Sequence, residues 1–258
     1  MNKSKKSLGL VEFVALMAMM TSLTAMSIDS MLPALSEISL DLGVKRSNDS
    51  QLVISSLFMG MAVGQMFLGP LSDTLGRKPT VYIGFGLFTT GCLMSMLTTN
   101  FQFMLAGRLL QGLGSAASRI VVIAIVRDLY SGREMARVMS FVMAVFILVP
   151  VVAPLFGQAV LIVSHWRWIF AIFLIIVLFT GIWFAWRQPE TLAPEKRIPF
   201  SILSIGESIR ETVKHRQVIG YTVAMGMIFG AFIGYLNSAQ QVFQELYGLG
   251  ILFPLYFA

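Results

Sequence analysis

Seven stretches of the sequence run for about 20 residues with almost no charge: roughly Leu8 to Ile28, Leu52 to Leu71, Thr80 to Leu97, Phe101 to Val126, Val138 to Val163, Trp168 to Trp186 and Val218 to Gln240. A helix of about 20 apolar residues crosses a bilayer core about 30 Å thick, and in lipid every backbone N–H and C=O must find a partner within the protein. Each stretch is therefore expected to be a transmembrane helix. An eighth apolar run begins at Leu249 and reaches Ala258. It is too short to span, so the chain is expected to end inside a hydrophobic helix and to be truncated. With 56% hydrophobic and 12% charged residues, too little polar surface exists to cover a water-soluble sphere. The single cysteine, Cys92, excludes an internal disulfide and any multi-cysteine metal cluster. Only His165 and His215 remain as soft ligands, so no metal and no cofactor is expected.

The charges lie between the apolar stretches and fall unequally on the two sides. One side collects Lys3, Lys5, Lys6, Arg77, Lys78, Arg127, Arg133 and Arg137, then Arg187, Lys196, Arg197, Arg210, Lys214 and Arg216; the other has Lys45, Arg46 and Arg167. Basic residues are retained in the cytoplasm, which places the N-terminus there and explains the formal charge of +6 without nucleic acid. The apolar run after Lys6 is too long for a signal peptide and has no small-residue cleavage site after it, so it is expected to stay. Residues 188–217, rich in proline and charge, read as a cytoplasmic linker between a six-helix bundle over 1–187 and the start of a second bundle over 218–258. Trp166, Trp168, Trp183 and Trp186 near the ends of the sixth segment suggest an aromatic belt.

Polar residues inside the apolar segments carry the functional information. Arg108 and Arg119 lie in the fourth segment, where each charge costs about 2.5–3.5 kcal/mol. Eleven steps of a helix return to within about 20° of the start, so both arginines share a face, with Ser115 and Gln111 beside it. Each arginine is either functional or a static pair between helices. Gly107, Gly112, Gly114, Ala116 and Ala117 allow close helix packing. Asp29 closes the first segment ahead of Pro33, toward the same side as Arg108; beside that arginine it can exchange a proton for an ion pair, or it simply caps the helix end or is solvated. Glu12 reads as solvated at the interface. Pro150 and Pro154 weaken the fifth helix, with Gly157 continuing their stripe. In the seventh segment Tyr235, Asn237, Gln240 and Gln241 either line a cavity or mark the helix end.

The turn after the second segment reads Gly69-Pro70-Leu71-Ser72-Asp73-Thr74-Leu75-Gly76-Arg77-Lys78-Pro79. Gly69 and Pro70 loosen the helix end, Gly76 permits a tight reversal, Pro79 suits the first turn of the next helix, and Asp73 can pair with Arg77. This turn resembles the signature G-x-L-a-D-r-x-G-r-k of the major facilitator superfamily at Gly69, Leu71, Asp73, Gly76, Arg77 and Lys78, departing from it at Thr74. Arg108, Gln111, Gly112 and Gly114 resemble the second motif of that family. Pro150, Ala153, Pro154 and Gly157 lie where its antiporter branches carry g-x-x-x-G-P-x-x-G-G, with Val149, Ala153 and Gln158 replacing glycines. Asp29 to Pro33, Arg127-Asp128-Leu129-Tyr130 and His165-Trp166-Arg167-Trp168-Ile169-Phe170 are similar to the drug/proton antiporters that include bicyclomycin and chloramphenicol exporters.

The resemblance implies an all-α membrane protein of the major facilitator fold, here the first six-helix bundle plus the seventh helix and the start of an eighth, with bundles rocking around a midplane site. It further implies proton-coupled efflux of hydrophobic drug-like molecules across a bacterial inner membrane, with Asp29, Arg108 and Arg119 in proton coupling and Gly69, Asp73, Gly76, Arg77 and Lys78 forming a cytoplasmic gate. The cavity is expected to be lined by apolar and Met side chains. The expected partners are the bilayer, protons and a small hydrophobic substrate, together with the missing C-terminal half. A nutrient symporter of the same fold and a non-transporting fragment are the alternatives. Nothing in the chain suggests an enzyme.

Overall fold

A computed structural model describes residues 8–248, apart from the side chains at positions 47, 202, 204, 205, 208, 209, 237, 240, 244 and 245. Nine α-helices follow one another among the described residues: α1 (Leu10–Asp29), α2 (Leu35–Asp41), α3 (Leu52–Leu75), α4 (Arg77–Leu97), α5 (Phe101–Leu129), α6 (Gly132–Val163), α7 (Arg167–Arg187), α8 (Ile202–Lys214) and α9 (Arg216–Gln240). Seven of the described helical segments are long and apolar enough to cross a membrane, the first counting α1 with α2 and the last being α9 and its continuation. The protein is a multi-pass, all-helical membrane protein.

The centre is α5. A methyl at Gly112 would collide with the Leu57 carbonyl of α3, and one at Gly114 with Gly84 and Phe88 of α4. In a membrane such small residues permit the close backbone approach that supplies dispersion contacts. Gly60, Gly64, Gly84 and Gly91 answer from the facing helices, so α5 is locked between α3 and α4. Opposite, α1 packs against α6 and α7, and Gly157 of α6 lies against the Ser30 carbonyl at the end of α1. The core, with Phe13, Phe88, Phe170, Phe173 and Phe184 all buried, runs between these groups.

Several expectations change. Pro70 does not end α3, which continues to Leu75, and Thr74 Oγ donates to the Pro70 carbonyl at 3.0 Å. The linker is not a plain loop, because α8 takes up residues 202–214 with apolar residues at helical spacing. Trp166 is no belt residue. It is fully buried, with its indole N–H donating to Asp41 at 3.3 Å, whereas Trp168 and Trp186 are exposed. Glu12 is paired with Arg187 and accepts the Trp183 indole N–H. The helix α9 passes through Asn237 without ending.

Candidate functional site

The charged residues singled out above as site residues fall at three places. At the end of the bundle that carries the α3–α4 turn, the basic end, Gly76 adopts φ 108°, which only glycine tolerates readily, and reverses the chain between α3 and α4. The reversal points Arg77 back under the bundle with its side chain 3% exposed. Its guanidinium donates to Asp73 at 2.7 Å, Asp128 at 2.8 Å and Ser72 Oγ at 2.9 Å. One buried cation thus ties α3, α4 and α5 together. Lys78 stands apart from this cluster and donates to the Ala185 carbonyl of α7 at 3.0 Å. A methyl at Gly69 would meet only the Ile120 side chain at ordinary contact distance, so space does not require a glycine there.

Deeper in the bundle Arg108 is fully buried, and among the described residues no carboxylate holds it. It donates to the Val53 carbonyl of α3 at 3.1 Å, the Ser27 carbonyl of α1 at 2.7 Å and Gln111 Oε1 at 2.6 Å, and lies 5.9 Å from the Phe170 ring of α7. Met31 N–H bonds to the Ile28 carbonyl, so the chain tightens after α1 and the Ser27 carbonyl turns to Arg108. Gln111 in turn donates to Cys92 Sγ at 3.1 Å. Arg108 therefore staples four helices. It does not pair with Asp29, contrary to expectation, because its donors are taken by carbonyls and Gln111.

Asp29 shares a cavity with Arg119 instead. Both line a cavity of about 130 Å³ with Thr24, Ala25, Ile28, Phe58, Met61, Phe146, Pro150, Phe229, Phe232 and Leu236. Asp29 is 4% exposed. Among the described residues no ion pair or hydrogen bond holds its carboxylate, and Thr24 Oγ in the same wall is buried without a partner. In α6 the prolines deprive the carbonyls of Phe146 and Pro150 of their helical donors, and both residues face this cavity. Ala153, Pro154 and Gly157 are buried on the side of α6 nearer α1. The lining is mostly apolar, with four phenylalanines and one methionine, Met61. From α9 the cavity receives Phe229, Phe232 and Leu236, while Tyr235 is half-exposed and Gln241 donates to Asn48 at 3.0 Å. The side chains of Asn237 and Gln240 lie outside the described residues.

A sequence profile of the Major Facilitator Superfamily matches residues 15–258. The chain belongs to the Major Facilitator Superfamily. It is 34% identical over 236 residues to the MFS-type transporter YdgK of Bacillus subtilis, covering 91% of this chain and 58% of that protein. It is 31% identical over 242 residues to a bicyclomycin resistance protein homolog of Haemophilus influenzae, covering 93% and 60%. Against the multidrug resistance protein MdtL of Shigella dysenteriae the figures are 27% over 224 residues, covering 86% and 55%. The chain thus spans a little over half the length of the curated relatives it matches. The crystal structure of the human organic anion transporter MFSD10 superposes with a TM-score of 0.60 at 18% identity, over 78% of this chain and 53% of that one, and so shares the facilitator fold. The family is one of membrane transporters, not enzymes.

Three residues of this facilitator bundle went unmarked as site residues in the sequence. Asp128, the second carboxylate on Arg77, belongs to the stretch Arg127 to Tyr130 but carries no local sign that it would reach a turn 51 residues earlier. Thr24 is one apolar-helix threonine among several. Glu190 follows Pro189 in a charged linker and reads as solvated, yet it accepts the backbone N–H groups of Arg77 at 3.0 Å and Lys78 at 2.9 Å. Partial burial works against its charged form, but the N–H groups of Leu192, Lys78, Arg77 and Thr191 outweigh that and hold its carboxyl below the usual glutamate range.

Proposed function

We propose that this protein exports lipophilic small molecules across a bacterial inner membrane in exchange for protons, by alternating access between two bundles. The observation that carries this reading is Asp29: a buried carboxylate, without a fixed counter-ion among the described residues, in the wall of an aromatic cavity. A carboxylate locked in a salt bridge cannot trade its proton, whereas one left free in a cavity can exchange proton for cation as the cavity opens and closes. Arg119, lining the same cavity from α5, is the cation available to it as the cavity changes shape. The cavity, at about 130 Å³, is smaller than the roughly 300 Å³ of a drug-sized site. Loading a ligand therefore requires α9 and α6 to part from α1 and α3. Aromatic walls bind flat apolar molecules with little demand for hydrogen-bond geometry, in keeping with the bicyclomycin and multidrug resistance names of the relatives.

In this reading Arg108 fixes the end of α1 two residues before Asp29, while Asp73, Arg77 and Asp128 form the latch of a gate on the cytoplasmic side. The charge distribution supports a cytoplasmic N-terminus. Residues 1–187 act as the first bundle, 188–217 as a linker and 218–258 as part of the second bundle. Activity needs that second bundle, as the half-length match to the relatives suggests. The test is ethidium extrusion driven by an imposed pH gradient, in vesicles containing the chain with and without a co-expressed second bundle. Asp29→Asn keeps the shape and removes the titration, and is expected to abolish uphill extrusion while the protein still inserts and folds. Unimpaired uphill extrusion by Asp29→Asn removes Asp29 from the mechanism.

A further inference from the structure

An α-helix starts with four backbone N–H groups that have no partner within the helix. For α4 they belong to positions 76–79. Gly76 N–H donates to the Ser72 carbonyl at 3.1 Å, and Pro79 has none to donate. The remaining two, on Arg77 and Lys78, go one to each oxygen of Glu190, at 3.0 and 2.9 Å. This carboxylate comes from the segment after α7, more than a hundred residues along the chain. Its Oε1 also accepts the N–H groups of Thr191 at 2.9 Å and Leu192 at 3.0 Å, folding its own segment into a turn. Gly76 makes room, because a Cβ there would lie 2.7 Å from Glu190 Oε2.

The same segment touches the other two members of the charge cluster. Thr191 Oγ donates to Asp128 at 3.0 Å, and the Ile198 N–H donates to the Asp73 carbonyl at 3.1 Å. Every charged residue of the cluster is therefore hydrogen-bonded to the stretch 190–198, Arg77 and Asp73 through their backbones and Asp128 through its carboxylate. That stretch is the covalent route from the bundle to α8 and α9.

The geometry points to Glu190 as a positioning residue of the gate: by fixing the backbone of Arg77 it delivers the guanidinium to Asp73 and Asp128, so that the linker and the latch are set or released together. This rests on the reading of the turn as a gate. A carboxylate that served only to cap α4 would leave the side chain of Arg77 indifferent to its removal, since Asp73, Asp128 and Ser72 would still be in place. A positioning carboxylate makes the two depend on each other.

The decisive readout is hydrogen exchange at the Arg77 side-chain Nε–H, which bonds to Asp128, in the ¹⁵N-arginine-labelled chain in lipid nanodiscs. Glu190→Ala is expected to speed that exchange about tenfold, the scale set by losing a helix cap, along with exchange at the Arg77 and Lys78 amides. Glu190→Gln retains an acceptor at the Oε1 place, which takes three of the four bonds, and is expected to restore most of the protection. Glu190→Asp, one methylene short, is expected to behave as Glu190→Ala and serves if the alanine variant does not fold. Glu195→Gln, exposed in the same segment, is expected to change nothing. Loss of amide protection with an unchanged Arg77 Nε–H makes Glu190 a cap alone and overturns the proposal. Ethidium extrusion measured in parallel is expected to show a lower maximal rate at unchanged KM in Glu190→Ala. Absence of extrusion by the unsubstituted protein together with a second bundle counts against the carrier reading, and the Nε–H signal still decides the role of Glu190.

Discussion

Asp128 is expected to matter more to the basic-end latch than Asp73, although Asp73 is the residue the family signature displays. Both carboxylates lie within 2.8 Å of the Arg77 guanidinium, but Asp73 is 43% exposed and Asp128 16%. An ion pair open to water contributes about 0.2–1 kcal/mol. A charge-assisted bond shielded from water contributes about 1.5–3 kcal/mol, and Asp128 also holds Thr191 at 3.0 Å. Losing the charge at 128 leaves a buried cation facing only a half-solvated partner. Asp128→Asn should therefore destabilise the bundle by about 2 kcal/mol and Asp73→Asn by about 0.5 kcal/mol. That gap is about tenfold in the folded population. SDS-driven unfolding in mixed micelles, followed by tryptophan fluorescence, measures both, and a double-mutant cycle of each with Arg77→Met isolates the pair terms. The coupling of Arg77 to Asp128 should exceed that to Asp73 by at least about 1 kcal/mol. Equal couplings, or a larger one at Asp73, would refute the argument from exposure.

Gly112→Ala should be among the most damaging single-methyl additions, because its Cβ meets the Leu57 carbonyl of α3 rather than a yielding side chain; a loss of about 2–3 kcal/mol in the same assay is expected, and a neutral result would mean that α3 and α5 can part. The Glu190 carboxyl has its folded-state pKa below the ordinary value of 4.5, so its contribution is present above that value and is lost as pH falls through the folded pKa. The Arg77 and Lys78 amide resonances should therefore be constant from about pH 8 to 5 and move only below about 4.5, and a midpoint near 6 would contradict the hydrogen-bond geometry. Single cysteines in a Cys92→Ser background should be labelled from outside intact cells at Ser164 and not at Ser131; the reverse pattern would invert the proposed orientation.

Hydropathy revealed where lipid is, not where helices end. The third apolar stretch begins at Thr80, yet α4 begins at Arg77; the fifth begins at Val138, yet α6 begins at Gly132. Helices project beyond the apolar slab with polar first turns, which no transfer scale counts as membrane. The short α2 was hidden because its seven residues alternate between core positions such as Leu35 and Ile38 and charged ones such as Glu37 and Asp41. Local chemistry identified Gly76, where a tight reversal needs a positive φ, and singled out Asp73 and Arg77 as a pair. It gave no access to Asp128 and Glu190, whose roles depend on α5 and the post-α7 segment arriving at the same turn. It also set Asp29 beside Arg108, whose donors are in fact taken: helical periodicity put Arg108 and Arg119 on one face of α5 but carried no information on which of them the neighbouring carbonyls would occupy.

In the proposed carrier the two arginines divide the labour, with a consequence for coupling. A group that must exchange a proton during a cycle has to change partners, and a group that must keep helices in register has to keep them. Arg108 is held by carbonyls and an amide from three helices, none of which titrates, so its bonds are indifferent to the protonation of the site. Arg119 is exposed on its helix and shares only the cavity wall with Asp29. A moving bundle can then alter the Asp29–Arg119 separation without loosening the staple that positions α1. If Arg108 were the partner of Asp29, each protonation would pull on the joint that holds α1, α3 and α5 together. Removing Arg119 should therefore alter the pH dependence of export while leaving stability nearly unchanged, and removing Arg108 should do the opposite.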